Sequence, residues 1–358
     1  MHRGFSLFGC SLDPDEREQV ISYKKKQAKL GYPGVKFREP YDALLYKLRN
    51  YFTNNYGTLQ FLGKMRVDPW LLPAPEPKYV ELLNVENVVN FIDLNGCLEY
   101  ALSIYDFLKE HVSSIGKPLL VGVDHSLSGG VLRFLGDVYD PDDLGVVVLD
   151  GHCDAITSFI TWCLISYDME KNPKSPFNSN DPFIVGRPES YNAQSFLLYL
   201  MEKGWIKPEN VVVMGITDYP RPWMFESEDF RIRKYVEHYL NLESKGLKLI
   251  KKNELEKDIS IVQEVLARLD VKKLYISIDV DVGANVALKG ARFTDHHGLS
   301  SEALHQLVSH ILNHVKKRAI EVVGLDMMET DVFKAALDST YDVEASLIVK
   351  IVKAASCL

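Results

Sequence analysis

The chain has 358 residues, with 41 Lys and Arg against 49 Asp and Glu, a formal net charge of −8. Apolar residues make up 46% and charged residues 25%, the balance of a globular protein long enough to bury a large core. The acidic excess argues against a nucleic-acid binder, and no apolar run reaches the roughly 18 residues of a membrane span.

The N-terminus, MHRGFSLFGCSLDPDERE, has a brief apolar stretch followed by acids and lacks the pattern of a secretion signal. Phe5–Gly9 within it reads as a first strand. Cys10, Cys97, Cys153, Cys163 and Cys357 are odd in number, scattered and free of any CxxC, which suits a reducing compartment and a cytoplasmic protein. Residues 20–85 are mixed, and Lys24–Lys29 reads as a solvated helix face. Leu98, Ala101, Leu102, Tyr105, Leu108 and Val112 fall at helical spacing and predict one apolar stripe.

Further strands are expected at Leu119–Val123, Val146–Asp150, Val211–Ile216, Leu247–Ile250, Leu274–Asp281 and Ile320–Leu325. Runs such as VVVL and VVVMGI are apolar at consecutive positions, as in parallel strands covered on both faces. The segment Ile156–Tyr167 is too short and too interrupted by Ser and Thr for a span, and Trp162 within it is expected in the core. Residues 168–193 are rich in Pro, Asn and Ser and read as a long loop, so 155–193 is expected to be variable. Ser260 with Gln263 reads as a capping box for a helix running to about Leu269. Ser300 precedes the stripe Leu304, Leu307, Val308, Ile311 and Val315. His310 and His314 share that helix as HxxxH, but Ile311 stands where a metalloprotease needs Glu, so they read as exposed helix histidines. The whole is expected to be one α/β domain over 1–358, three-layered, with a mainly parallel central sheet and helices on both faces.

Acids and histidines concentrate at three predicted strand ends: Asp124-His125, then Asp150, His152 and Asp154, then Asp279 and Asp281. In a strand, residues two apart share a face, so each set can converge if the extended conformation continues. The carboxyl ends of parallel strands are where open α/β sheets place ligands. Converging carboxylates repel, and divalent cations resolve the repulsion. Two imidazoles and four carboxylates suit two ions, manganese first, with Zn2+, Ni2+, Co2+ or Fe2+ as alternatives. Cys153, inside the second set, alternates away from the ligands and reads as a packed residue.

These residues resemble the ureohydrolases: arginase, agmatinase and formiminoglutamase. The signature GGDHS is matched by Gly122-Val123-Asp124-His125-Ser126, DAHxD by Asp150-Gly151-His152-Cys153-Asp154, SxDxD by Ser277-Ile278-Asp279-Val280-Asp281, and GLDxxE by Gly324-Leu325-Asp326-Met327-Met328-Glu329. The likeness runs from about residue 118 to the end and is vague over 1–117. The resemblance implies an arginase-like fold and a binuclear manganese site held by His125, Asp150, His152, Asp154, Asp279 and Asp281. It implies that Glu329 binds the cationic end of the substrate, and it implies a homo-oligomer, a trimer or hexamer.

The chain also departs from the family. No His occurs between His152 and His238 to serve as proton shuttle, leaving His296 or His297, with His297 taken as the catalytic candidate beside Asp154 and Glu329. Ile156 replaces an Asn, Pro220 in Thr217-Asp218-Tyr219-Pro220 replaces an Asp, and Glu329-Thr330-Asp331-Val332 replaces EVNP. The changes at Ile156 and Pro220 weigh against arginine as substrate. The expected function is hydrolysis of a C–N bond in a small cationic guanidino or amidino compound, agmatinase-like, releasing urea or a related amide and an amine. The alternatives are another amidine or formimino substrate, and a metal-binding homologue with lost catalysis.

Overall fold

Among the described residues eight strands form one sheet: β1 (Phe5–Cys10), β2 (Leu59–Lys64), β3 (Lys117–Gly122), β4 (Leu144–Leu149), β5 (Val211–Ile216), β6 (Lys248–Lys251), β7 (Lys273–Asp279) and β8 (Glu321–Met328). They come from a computed structural model that describes residues 4–52, 59–111, 116–178 and 183–356. The order is β2-β1-β3-β8-β7-β4-β5-β6, and every pairing is parallel. Val146 stands opposite Val211 on one side and Tyr275 on the other.

Strand alternation divides the core into two layers. Val147, Leu149, Val212 and Met214 pack with the helices Pro40–Phe52, Ile261–Leu266, Ser301–Arg318 and Thr340–Ser356. Val146, Val148, Val211 and Val213 pack on the other face with Gly96–Glu110, Ser128–Val138, Phe196–Glu202 and Phe230–Ser244. This is the α/β sandwich expected of strands that are apolar on both faces. Among the described residues no helix is long and apolar enough to cross a membrane.

Several local expectations are corrected. The edge strand β2 was not foreseen. Lys24 is not solvated: it is 3% exposed, and its ammonium lies 2.6 Å from Asp13. Ser260 makes no side-chain cap; Asp258 accepts the Ser260 N–H instead, and the helix ends at Leu266. Trp162 is half-buried and stacks on Phe159 rather than filling the core. The helix Ser158–Lys171 runs into the predicted 168–193 loop. His310 and His314 are half-buried, and His310 pairs with Gln263 at 2.8 Å. Val112 and Cys357 lie outside the described residues.

Candidate metal centre

The four central strands β3, β8, β7 and β4 bring their carboxyl ends side by side. Asp124 and His125 follow β3, Glu329 follows β8, Asp279 ends β7, and Asp150 follows β4. The extended conformation does not continue past these ends. At three of them an aspartate turns back to accept the amide two residues on: Asp124 from Ser126 at 3.2 Å, Asp150 from His152 at 2.6 Å and Asp279 from Asp281 at 2.7 Å. Such Asx turns tighten the chain while keeping residues i and i+2 on one side. Convergence therefore comes from a turn, and β7 stops at Asp279 instead of Asp281.

Two donor sets result. His125 Nδ1 lies 3.2 Å from Asp150 Oδ2, 2.8 Å from Asp154 Oδ2 and 3.1 Å from Asp279 Oδ2. His152 Nδ1 lies 2.7 Å from Asp281 Oδ2 and 3.8 Å from Asp150 Oδ1. Asp150 thus offers one oxygen to each set, and the donor atoms of each set lie within 4.8 Å of one another. His125 Nδ1, Asp150 Oδ2 and Asp281 Oδ2 are buried without a hydrogen-bond partner. Each set thus contains orphaned polar atoms, which fits a cation of mixed N/O preference in each.

The electrostatics agree. Burial, reinforced by Asp154, Asp279 and Asp281, holds the Asp150 carboxyl well above the usual range. Burial and Asp281 push Asp279 up to about 7. Burial alone would lower His125, but the carboxylates of Asp150, Asp154 and Asp279 outweigh it and hold the imidazole well above its ordinary value. Burial opposes ionisation of Asp281 as well, yet His152 brings it down to about 2.

Behind the ligand candidates lies a relay. His125 Nε2 is 2.8 Å from Ser277 Oγ, which in turn donates to Asp326 at 2.7 Å. Tyr275 donates its hydroxyl to the other Asp326 oxygen. This fixes the ring so that Nδ1 faces the carboxylates. Beyond His152 stand Asp295, 3.8 Å from its Nε2, and His296, whose Nε2 is 3.0 Å from the Asp281 carbonyl. His152, Asp295 and His296 form a third possible donor group. A Cβ on Gly151 would come within 2.3 Å of His296 Nε2, so glycine at this point of the motif is what admits the ring. His297, the expected catalytic histidine, is exposed and belongs to none of these groups. Cys153 is fully buried and packs in the core.

Glu329 has φ +67°, a left-handed conformation costly for a residue with a side chain. Its Oε1 accepts the His125 amide at 3.1 Å. Its charge partner was not foreseen. Arg292 Nη1 lies 3.2 Å from Oε1 and 3.3 Å from Oε2. The same nitrogen is 3.2 Å from Asp124, and Nε is 3.3 Å from Asp13 and 3.6 Å from Asp15. The signal available in the sequence was slight: one arginine in the loop Gly290-Ala291-Arg292-Phe293, and two acids in Asp13-Pro14-Asp15.

A family model described as the arginase family matches residues 71–355. The chain belongs to the arginase family. The match begins well before residue 118, earlier than the motifs alone indicated. Arginase from Bacillus subtilis is 19% identical over 98% of both chains, with a TM-score of 0.58. Agmatine ureohydrolase of Thermoplasma volcanium is 16% identical, over 99% of this chain and 90% of that one, at 0.51. Formimidoylglutamase from Bacillus subtilis is 14% identical, over 99% and 87%, at 0.56. At these identities the likeness carries the fold. No curated protein sequence matches the chain. Against the family pattern, Asp218 turns its Oδ2 to the Cys153 amide at 3.2 Å, and Ile156 is packed at 8% exposure, so both act locally as structure.

Proposed function

We propose that this arginase-family chain is a binuclear-metal hydrolase that cleaves a non-peptide C–N bond of a linear amidine. The observation that supports it most is the sharing of Asp150 between two donor sets. His125, Asp150, Asp154 and Asp279 would hold one ion, and Asp150, His152 and Asp281 the other, with manganese first and Zn2+, Ni2+, Co2+ or Fe2+ as alternatives. Two such ions would lower the pKa of water and polarise the C=N group. Asp154 would both hold an ion and accept a hydrogen bond from the attacking hydroxide. For carrying a proton we prefer His296 to His297, a choice supported by its ring lying 5.2 Å from that of His152.

The reaction balances in two forms. A guanidino compound R–NH–C(=NH)NH2 and water give R–NH2 and urea. A formimino compound R–NH–CH=NH and water give R–NH2 and formamide. The agmatinase-like choice rests on Pro220 and Ile156; Arg292 on Glu329 weighs against any substrate held by that glutamate. The same contact favours the second reading, a metal-binding homologue without catalysis. One domain over 1–358 is supported by all eight strands joining one sheet. A cytoplasmic location is supported by the free, buried Cys10, Cys97, Cys153 and Cys163. A homo-oligomer, trimer or hexamer, is checked by light scattering.

The test is metal uptake by elemental analysis beside product release from guanidino, amidino and formimino compounds. Uptake of two ions per chain with metal-dependent amine release is expected. Two bound ions with no product from any compound would leave the non-catalytic reading, and absence of uptake would sink both.

A further inference from the structure

We propose that Arg292 is a specificity-determining residue: its guanidinium occupies the Glu329 carboxylate and denies that anchor to a guanidinium-bearing substrate. The inference rests on the metal-hydrolase reading and narrows it. The family resemblance gives Glu329 to the substrate's cationic end, but here an arginine of the chain itself fills the position.

Three observations carry it. First, the occupant is built in. Arg292 is 5% exposed, and its guanidinium reaches Asp13, Asp15 and Asp124 as well as Glu329. Second, it is held by the backbone. The Arg292 amide donates to the Glu329 carbonyl at 2.8 Å, and the Asp331 amide donates to the Gly290 carbonyl at 2.8 Å. Arg17 donates to the Arg292 carbonyl at 3.2 Å, and Lys334 to the Ala291 carbonyl at 2.9 Å. A substrate could not displace the side chain without uncovering several buried carboxylates. Third, two of the other acids have cations of their own: Asp13 has Lys24 at 2.6 Å, and Asp15 has Arg17 at 2.9 Å. Among the described residues, Arg292 is the cation paired with Glu329.

A guanidinium entering beside Arg292 would leave an amino group without an acceptor. Unpaired polar groups in a closed site cost more than a missing contact gains. A formimino group is also a cation, but its carbon carries hydrogen where a guanidinium carries its third nitrogen, so it brings one amino group fewer to satisfy. The substrate class that remains is the formamidine type, hydrolysed to an amine and formamide.

The experiment titrates methylguanidine and agmatine calorimetrically into the full chain, metal-free and with Mn2+. It compares wild type, Glu329→Gln, Arg292→Ala, Arg292→Gln and the double variant Arg292→Ala/Glu329→Gln. Wild type and Glu329→Gln should bind equally weakly. Arg292→Ala and Arg292→Gln should bind about tenfold tighter or more, and the double variant should lose the gain. With Mn2+, wild type should release formamide from formimino compounds and no urea from agmatine. Wild-type binding that Glu329→Gln abolishes, urea release by wild type, or single variants that fold yet gain no affinity would overturn the proposal. If neither single variant folds, the comparison of wild type with Glu329→Gln decides alone. Absence of metal uptake would sink the hydrolase reading, whereas methylguanidine binding to metal-free protein still decides the role of Arg292.

Discussion

Asp150 is the residue on which both donor sets depend. Its two oxygens face different histidines, and burial with three neighbouring carboxylates raises its pKa. Asp150→Asn keeps the shape and removes one of the converging charges. The metal-free variant is expected to melt a few degrees higher than wild type, at roughly 1–2 °C per kcal/mol of relieved repulsion in a chain of this length. It should also lose uptake of both ions, whereas Asp281→Asn should lose one. Elemental analysis beside calorimetry checks both, and an Asp150→Asn variant that still takes two ions would show that Asp150 does not bridge. A second buried acid lies outside the centre. Glu344 accepts the Thr330 hydroxyl at 2.8 Å, and burial pushes its carboxyl from 4.5 up to about 8. The folded state therefore holds a proton that the unfolded chain releases above pH 4.5. Stability from this group is present below that pH and falls by about 1.4 kcal/mol per pH unit until the folded value is passed. Glu344→Gln is expected to change little at pH 4.5 and to stabilise progressively up to pH 8. A stability difference that stays flat across that window would rule the titration out.

Capping separates two helix starts that look alike on paper. Ser300 accepts the Ala303 amide at 3.1 Å, and its helix runs to Arg318. Ser260 has the same kind of neighbourhood, yet its φ and ψ are already helical and Asp258 does the local bonding. Ser300→Ala should cost about 1 kcal/mol in denaturant unfolding, and Ser260→Ala a few tenths at most. The contrast shows what was legible and what was not. Six strands were readable because each is apolar on both faces, and the edge strand Lys248–Lys251 from its Leu249-Ile250 pair. The strand Leu59–Lys64 was not, because an edge strand with one partner needs no continuous apolar run. The six ligand candidates were readable because strand ends place chemistry at fixed offsets. Arg292 and its acids were not, since Asp13 and Arg292 are distant in sequence and meet only through the parallel register of β1, β3 and β8. His296 was half legible: two adjacent loop histidines cannot be told apart until Gly151 is seen to leave room for one of them.

Across the molecule, one edge of the sheet gathers Asp13, Asp15, Asp124 and Glu329 on one side and Asp150, Asp154, Asp279 and Asp281 on the other. The first group is matched by Lys24, Arg17 and Arg292. The second has only His125 and His152. Three of the four charges in the first group are thus matched by the chain's own cations, and the second group is left for ions from outside. The metal-free fold should then be weakest where β4 and β7 end. Mn2+ at about a hundredfold over its dissociation constant should add roughly 2.7 kcal/mol per site, raising the melting temperature, and a chelator should reverse it. Hydrogen exchange should slow at the His152 and Asp281 amides, which bond to Asp150 and Asp279. Amides inside β5, paired to β4 and β6, should change far less, because that ladder is complete without metal. Equal protection of both regions, or a melting temperature indifferent to every divalent ion tried, would contradict this division of the charge.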